Sequence, residues 1–269
     1  MELKKTAKII EALLKISRRP VGVKLVHSRE EFMKYDGITL SRPLSYCVAV
    51  KSASLGHSIK IDRKTAGCFG GNRALGLSEC DEAFKSGAGG FGLGLYSSPE
   101  TAAAVADALP RCSPDTYGVI VKPLEYFETD PDVVLLISDT REAMRIFQGY
   151  TYTYGLTKGL NISGNQAVCV EATVTPMFTG EMNVTMLCSG TRYKAEWKGS
   201  EVICGIPMKK IGGLLSGLKG TVNAVEMDGR KKEIEKELSK LEELDFVIDY
   251  GKTYDLNAHV QKRAQAIMV

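Results

Sequence analysis

Hydrophobic and polar positions divide the chain into short segments of contrasting period. Near the N-terminus, Ala7, Ile9, Ile10, Leu13, Leu14 and Ile16 recur at helical spacing and predict an amphipathic first helix that ends before Arg19-Pro20. VGVKLV (Val21 to Val26) follows as a strand. SREEFMKY (Ser28 to Tyr35) reads as a short helix, with Ser28 as N-cap and Glu31 three residues on. RPLSYCVAVKSASLG (Arg42 to Gly56) predicts a helix closed by Gly56, and the alternating HSIKID (His57 to Asp62) a strand. Cys68 then opens a Gly-rich turn, CFGGNRALGL.

The same order recurs further on. PDVVLLIS (Pro131 to Ser138) is a strand of the fully buried type, DTREAMRIFQGYTYTYG (Asp139 to Gly155) a helix, and NQAVCVEATVTPMFTG (Asn165 to Gly180) an apolar, small-residue segment. NVTMLC (Asn183 to Cys188) alternates as a strand and runs into CSGTR. VKLVHSREEFMKY parallels VLLISDTREAMRIF, CVAV at Cys47 parallels CVEA at Cys169, and CFGGNR at Cys68 parallels CSGTR at Cys188. The helix in LYSSPETAAAVADAL (Leu95 to Leu109) pairs with GIPMKKIGGLLSGL (Gly205 to Leu218). The two Cys-to-Cys steps are 21 (68 − 47) and 19 (188 − 169). This pattern predicts an internal duplication of a strand–helix–helix–strand–helix unit. The expected fold is α/β or α+β: two pseudo-symmetric halves, residues 1–125 and 126–220, sharing a mixed sheet. A C-terminal charged helical extension, 221–269, carries Ile234, Leu238, Leu241 and Leu244 on one stripe.

Composition narrows the function classes. The 269 residues carry 35 basic and 32 acidic side chains, a net charge of +3, and no basic cluster that would argue for nucleic acid. No segment has the apolar length of a membrane span or the form of a cleaved signal, so a cytoplasmic protein is expected. In a reducing compartment its seven Cys are thiols or ligands rather than disulfides.

Equivalent positions in paired halves can face each other, so the repeat makes Cys47, Cys68, Cys169 and Cys188 candidates for one four-thiol site. An iron–sulfur cluster needs such a set of thiolates. Gly70, Gly71 and Gly190 would let backbone N–H groups approach it, and Arg73 and Arg192, at similar offsets from the two Cys turns, could bind an anion. No C-x-x-C spacing is present, which leaves cluster, zinc and plain thiols all open. Cys80, Cys112 and Cys204 have no repeat partner. SGAGGFGLG (Ser86 to Gly94) carries dinucleotide-like glycine spacings, but a helix-like segment precedes it where a phosphate loop needs a strand. Three histidines supply neither a hydrolase triad nor a His-rich metal site. TYTYG (Thr151 to Gly155) groups aromatics at a helix end.

RPLSYC, CFGGNRALGL, PDVVLLIS, GYTYTYG, CSGTR and the GIP start together resemble the uncharacterised archaeal-type ArCR family, over roughly residues 5 to 220. The resemblance implies a prokaryotic, often anaerobic setting and supplies no assigned reaction. Three readings follow. One is a cytoplasmic iron–sulfur or related metal-cluster protein with an electron-transfer or reductive role, its cluster at the interface of the halves. A second is a small-molecule or cofactor-binding module with structural cysteines. The third is a thiol-dependent enzyme using Cys68 or Cys188. The expected partners are a small-molecule ligand or a redox partner, with homo-oligomerisation open.

Overall fold

The computed structural model describes residues 2–38 and 40–252. In chain order the elements are α1 (Leu3–Leu14), β1 (Val21–Val26), α2 (Arg29–Lys34), α3 (Tyr46–Ser54), β2 (Ile59–Asp62), α4 (Phe69–Ala74), α5 (Glu82–Lys85), α6 (Ala88–Gly92), α7 (Pro99–Ala108) and β3 (Gly118–Pro123), closed by a 3₁₀ turn (Leu124–Tyr126). There follow β4 (Val133–Ser138), α8 (Thr140–Tyr154), a π-helix (Ala167–Val174), α9 (Thr175–Thr179), β5 (Asn183–Thr185), α10 (Ser189–Ala195) and β6 (Val202–Pro207). A second 3₁₀ turn (Met208–Lys210), α11 (Ile211–Val225) and α12 (Asp228–Lys240) complete the described chain.

The six strands form one sheet in the order β2-β3-β1-β4-β6-β5. The fold is α+β. Every strand pair in the sheet is antiparallel, which corrects the mixed sheet expected from the sequence. The register is twofold-symmetric. Val21 faces Pro123 and Val133 faces Pro207, so in each half the first residue of the inner strand meets the proline that ends the middle strand. At the centre Gly22 pairs with Val134, the second residue of each inner strand. An axis perpendicular to the sheet at that pair relates β1 to β4, β3 to β6 and β2 to β5.

β3 and β6 were not anticipated. Each is buried at all six positions, so neither shows the alternation that reveals a strand with one wet face. Their presence also corrects the pairing of α7 with the 211–218 helix. α7 precedes β3, whereas α11 follows β6. The counterparts across the axis are the two 3₁₀ turns, each entered from a strand-ending proline, Pro123 and Pro207. The segment 75–117, with α5, α6 and α7, lies between α4 and β3, while β6 follows soon after α10.

Two cores cover the two sheet faces. Along β4, Val134 and Leu136 face α1, α8, α11 and α12, while Val133, Leu135 and Ile137 face α3, α4 and the π-helix. Glycine permits two backbone approaches that matter here. A Cβ on Gly217 of α11 would sit 1.8 Å from the Gly149 carbonyl of α8, so these two helices cross in near contact. A Cβ on Gly205 of β6 would sit 1.8 Å from the Ala172 carbonyl, so the π-helix lies directly on the sheet.

The boundaries expected at 125/126 and 220/221 fall inside the first 3₁₀ turn and inside α11. The helix of the extension belongs to the core: Ile234 and Leu238 of α12 are fully buried with α1, and Arg230 donates to the Ala12 carbonyl at 2.6 Å. The rest of the extension, residues 253–269, lies outside the described residues. Among the described residues, no helix is long and apolar enough to cross a membrane.

Candidate functional site: a cysteine-lined pocket

A symmetry axis perpendicular to a sheet keeps equivalent elements on the same face. α3 and the π-helix, and likewise α4 and α10, therefore share one side, where their contacts cross between halves: α3 against α10, and α4 against the π-helix. A pocket opens between the starts of these four elements, with about 80 Å³ of free space. Cys47, Cys68, Cys169 and Cys188 all line it, with Gly70, Gly71 and Gly190.

Each cysteine stands at or near a helix start. Cys68 and Cys188 are the N-caps of α4 and α10. Cys47 is the second residue of α3, and Cys169 the third of the π-helix. Both expected Cys turns are thus short helices. α4 forms despite two glycines because a neighbouring half packs against it. First-turn N–H groups have no partner within their own helix. Cys188 uses this directly: its Sγ accepts from Thr191 N–H at 3.3 Å and lies 3.0 Å from Thr191 Oγ1. Cys47 Sγ lies 3.4 Å from Ser45 Oγ.

Burial pushes the Cys47 thiol above its ordinary value, with Cys68 and Cys188 raising it further against the Ser45 hydrogen bond. Burial pushes Cys169 well up, and the other three cysteines add to that. This mutual repulsion reflects four thiols around one space. Among the described residues, no three His, Cys, Asp or Glu side chains are gathered closely enough to hold a single metal ion.

Neighbouring groups fix the pocket walls. Glu171 is fully buried in the π-helix, and its carboxylate accepts from Ser163 N–H (2.7 Å), Gly164 N–H (2.8 Å), Ser163 Oγ (2.9 Å) and Thr185 Oγ1 (2.5 Å). It holds the loop that brings Asn165 and Gln166 to the pocket. The wide helical turn is visible in Glu171 N–H donating five residues back, to the Gln166 carbonyl at 3.1 Å. Such π turns recur at functional sites. The Tyr46 hydroxyl meets Thr173 Oγ1 at 2.8 Å and joins α3 to the π-helix. Lys194 is the one cation among the lining residues.

Sequence reasoning missed Ser45, Thr191, Lys194 and Glu171. A hydroxyl two residues before Cys47 and another three after Cys188, the capping distance, were the available signals. Two expected cofactor-binding residues are corrected. Neither Arg73 nor Arg192 lines the pocket. Arg73 pairs with Asp81 at 3.0 Å and stacks 4.4 Å over Phe84. Arg192 donates to the carbonyls of Met186 (2.8 Å), Lys198 (2.5 Å) and Glu201 (3.3 Å), which ties down the strand-to-helix loops. A guanidinium so satisfied has few donors left for an anion. The remaining cysteines stand apart from the pocket lining: Cys204 is buried in β6, and Cys80 and Cys112 lie within the 75–117 segment. The glycine-rich loop forms α6 behind α5, with no strand leading in, so it lacks the context of a dinucleotide loop. The tyrosines serve packing: Tyr150 and Tyr154 stack at 4.8 Å, with Lys210 at 4.0 Å over the Tyr154 ring.

Fold and site thus define an antiparallel α+β protein with a four-cysteine pocket where two symmetric half-sheets meet. The chain belongs to the uncharacterised ArCR family, whose model matches residues 9–217 and so spans both halves and the pocket. It is similar to an uncharacterized protein of Methanocaldococcus jannaschii, 28% identical over 230 residues, covering 84% of this chain and 94% of that one. No solved structure matches it.

Proposed function

We propose that this protein holds an iron–sulfur or related metal cluster between Cys47, Cys68, Cys169 and Cys188, and serves an electron-transfer or reductive role in the cytoplasm. The observation that carries this reading is that four cysteines, two from each half of the chain, line one pocket. Thiolates are soft ligands and favour iron–sulfur clusters, zinc or copper(I) over hard cations. A polynuclear cluster suits thiols spread around a cavity better than a lone ion, which needs them gathered within one coordination shell. A bound cluster would supply one-electron transfer.

The chain's own groups have definite tasks in this reading. Cys47 and Cys169, pushed up by burial, carry protons in the metal-free protein and release them on ligation, so uptake strengthens as pH rises. Lys194 offsets the negative charge of the ligand set, and the N–H groups at the helix starts do the same from the other walls. Gly70 and Gly190 keep side chains out of the space beside Cys68 and Cys188.

Anaerobic purification followed by a visible spectrum and iron and sulfide analysis tests the proposal. A brown protein with stoichiometric iron, bleached by Cys68→Ser or Cys188→Ser, supports it. A colourless protein with all four thiols free to titrate defeats it.

A further inference from the structure

A second pocket, apart from the cysteines, opens where α1 and β4 end and α8 begins, beside the turn that leads into β6. It holds about 110 Å³ of free space. Ser138, the last residue of β4, has the parity of Val134 and Leu136, so its side chain points to the face of α1 and α8, into this space. Ser138 is only 5% exposed, and its Oγ has no hydrogen-bond partner. A buried hydroxyl left unpaired is costly to the fold.

The other uncommitted groups around the pocket are donors too. Arg18 gives its Nε–H to buried Glu201 at 2.9 Å and lies 5.7 Å over the Trp197 ring, while its two terminal nitrogens make no hydrogen bond among the described residues. The Lys198 ammonium has no ion pair among the described residues. α8 starts without a side-chain cap, because Asp139 accepts from Ser200 Oγ at 2.8 Å instead of from its own helix. The carboxylates of the lining are engaged: Glu201 also accepts from Lys198 N–H at 2.7 Å, and Glu142 meets Arg141 at 3.6 Å. Lys15 is likewise engaged, with Glu233 at 2.9 Å. Donors are left over and acceptors are not, which selects an anionic ligand rich in acceptor oxygens.

We propose that this pocket binds a phosphate group, free or at the end of a small metabolite, with Ser138 and Arg18 as its donors at the start of α8. The donors stand on separate walls: the end of β4, the loop after α1 and the first turn of α8. A tetrahedral oxyanion presents an oxygen to each, whereas a carboxylate presents only two. Ser138 thereby gains the partner that the fold does not supply.

No residue of this pocket lines the cysteine site, so the two readings stand or fall separately. Equilibrium dialysis of the full chain against inorganic phosphate, at constant ionic strength, should show saturable binding near one per chain. Ser138→Ala should weaken it by about tenfold or more, the worth of one hydrogen bond to a charged group, while leaving the melting temperature of the phosphate-free protein unchanged or raised. Arg18→Lys, which keeps the charge and loses the fork, should also weaken binding. Competition by glycerol phosphate identifies the source: tighter binding than inorganic phosphate means a phosphorylated metabolite, weaker binding means free phosphate. Absence of saturable binding, equal binding of malonate, or undiminished affinity in Ser138→Ala overturns the inference. So does a lowered melting temperature in Ser138→Ala, which would show that the fold already uses the hydroxyl.

Discussion

Replacing Gly70 by alanine separates the fold from the site. Gly70 lies in the first turn of α4 and lines the cysteine pocket, and a Cβ there would meet nothing within 4 Å. No positive φ demands glycine at this position. Alanine therefore costs no clash and removes backbone freedom from the unfolded chain, worth about 0.5–1 kcal/mol in a helix and nearer the lower figure in a first turn. For a chain of this size that is a rise of roughly 1–3 °C in the melting temperature of the metal-free protein. The same methyl takes space beside Cys68 that a bound cluster would use, so iron per chain after anaerobic expression should fall clearly below wild type. Thermal unfolding by circular dichroism and iron analysis are run on the same two proteins. A lowered melting temperature would show that the Gly70 wall is already filled. A stabilised protein with undiminished iron would show that no ligand approaches Gly70.

Gly205→Ala should have the opposite profile: its Cβ would fall 1.8 Å from the Ala172 carbonyl, a backbone group that cannot turn aside, and urea titration should reveal a loss of about 3 kcal/mol or more together with loss of the pocket. Arg145→Met removes the guanidinium that donates to buried Glu226 at 2.7 Å, beside the Arg141 contact at 2.9 Å, and should cost about 3–5 kcal/mol in the same assay. Glu171→Gln should cost about 1–3 kcal/mol and loosen residues 161–166, seen as faster amide exchange there; unchanged exchange would mean the carboxylate does not hold that loop. Alkali should destabilise the metal-free protein. Burial pushes Cys112 up to about 11 and Cys204 to about 12, with Cys47 and Cys169 also raised, so the unfolded chain loses protons near pH 9.0 that the folded chain keeps. Stability is then intact below pH about 9 and falls above it by up to about 1.4 kcal/mol per pH unit for each thiol, and urea midpoints that stay level from pH 8 to about 10.5 would contradict this.

The parts of this molecule readable from sequence are those where one face differs from the other. α1 and β2 have a wet side, and their periods gave them away, whereas β1 is buried at five of its six positions. β4 was legible as an unbroken apolar run, but β3 and β6, equally buried, were interrupted by Lys122 and Gly205 and passed unseen. Lys122 sits in the sheet because Phe127 and Tyr35 offer their rings to its ammonium, at 4.8 and 5.3 Å, a compensation no local pattern encodes. The four cysteines were singled out by the repeat expected from the sequence, and all four line one pocket. Arg73 and Arg192 were marked by the same offset and yet serve loops, since offset along a helix start says nothing of which carbonyls lie within reach. The π-helix was not legible either: it depends on Pro176, which has no N–H to give the Ala172 carbonyl, and on Gly205, which lets that carbonyl lie against the sheet.

The convergence of the cysteines follows from the antiparallel pairing of β1 with β4. Had the inner strands been related by an axis in the plane of the sheet, α3 and α4 would have fallen on one face and their counterparts on the other, with the sheet's thickness between the two cysteine pairs. The perpendicular axis at Gly22 and Val134 instead puts all four helix starts on the face opposite α1, α8, α11 and α12. The crossed contacts of α3 with α10 and of α4 with the π-helix bring the cysteines of both halves to the lining of one pocket. A pocket assembled this way cannot form in either half alone. Any ligand held by all four thiols therefore binds the folded chain and not its separated halves, and must stabilise the β1–β4 seam by mass action. That linkage gives a direct measure: the increase in unfolding free energy on loading should grow with free ligand concentration, and should vanish when both Cys68 and Cys188 are replaced by serine.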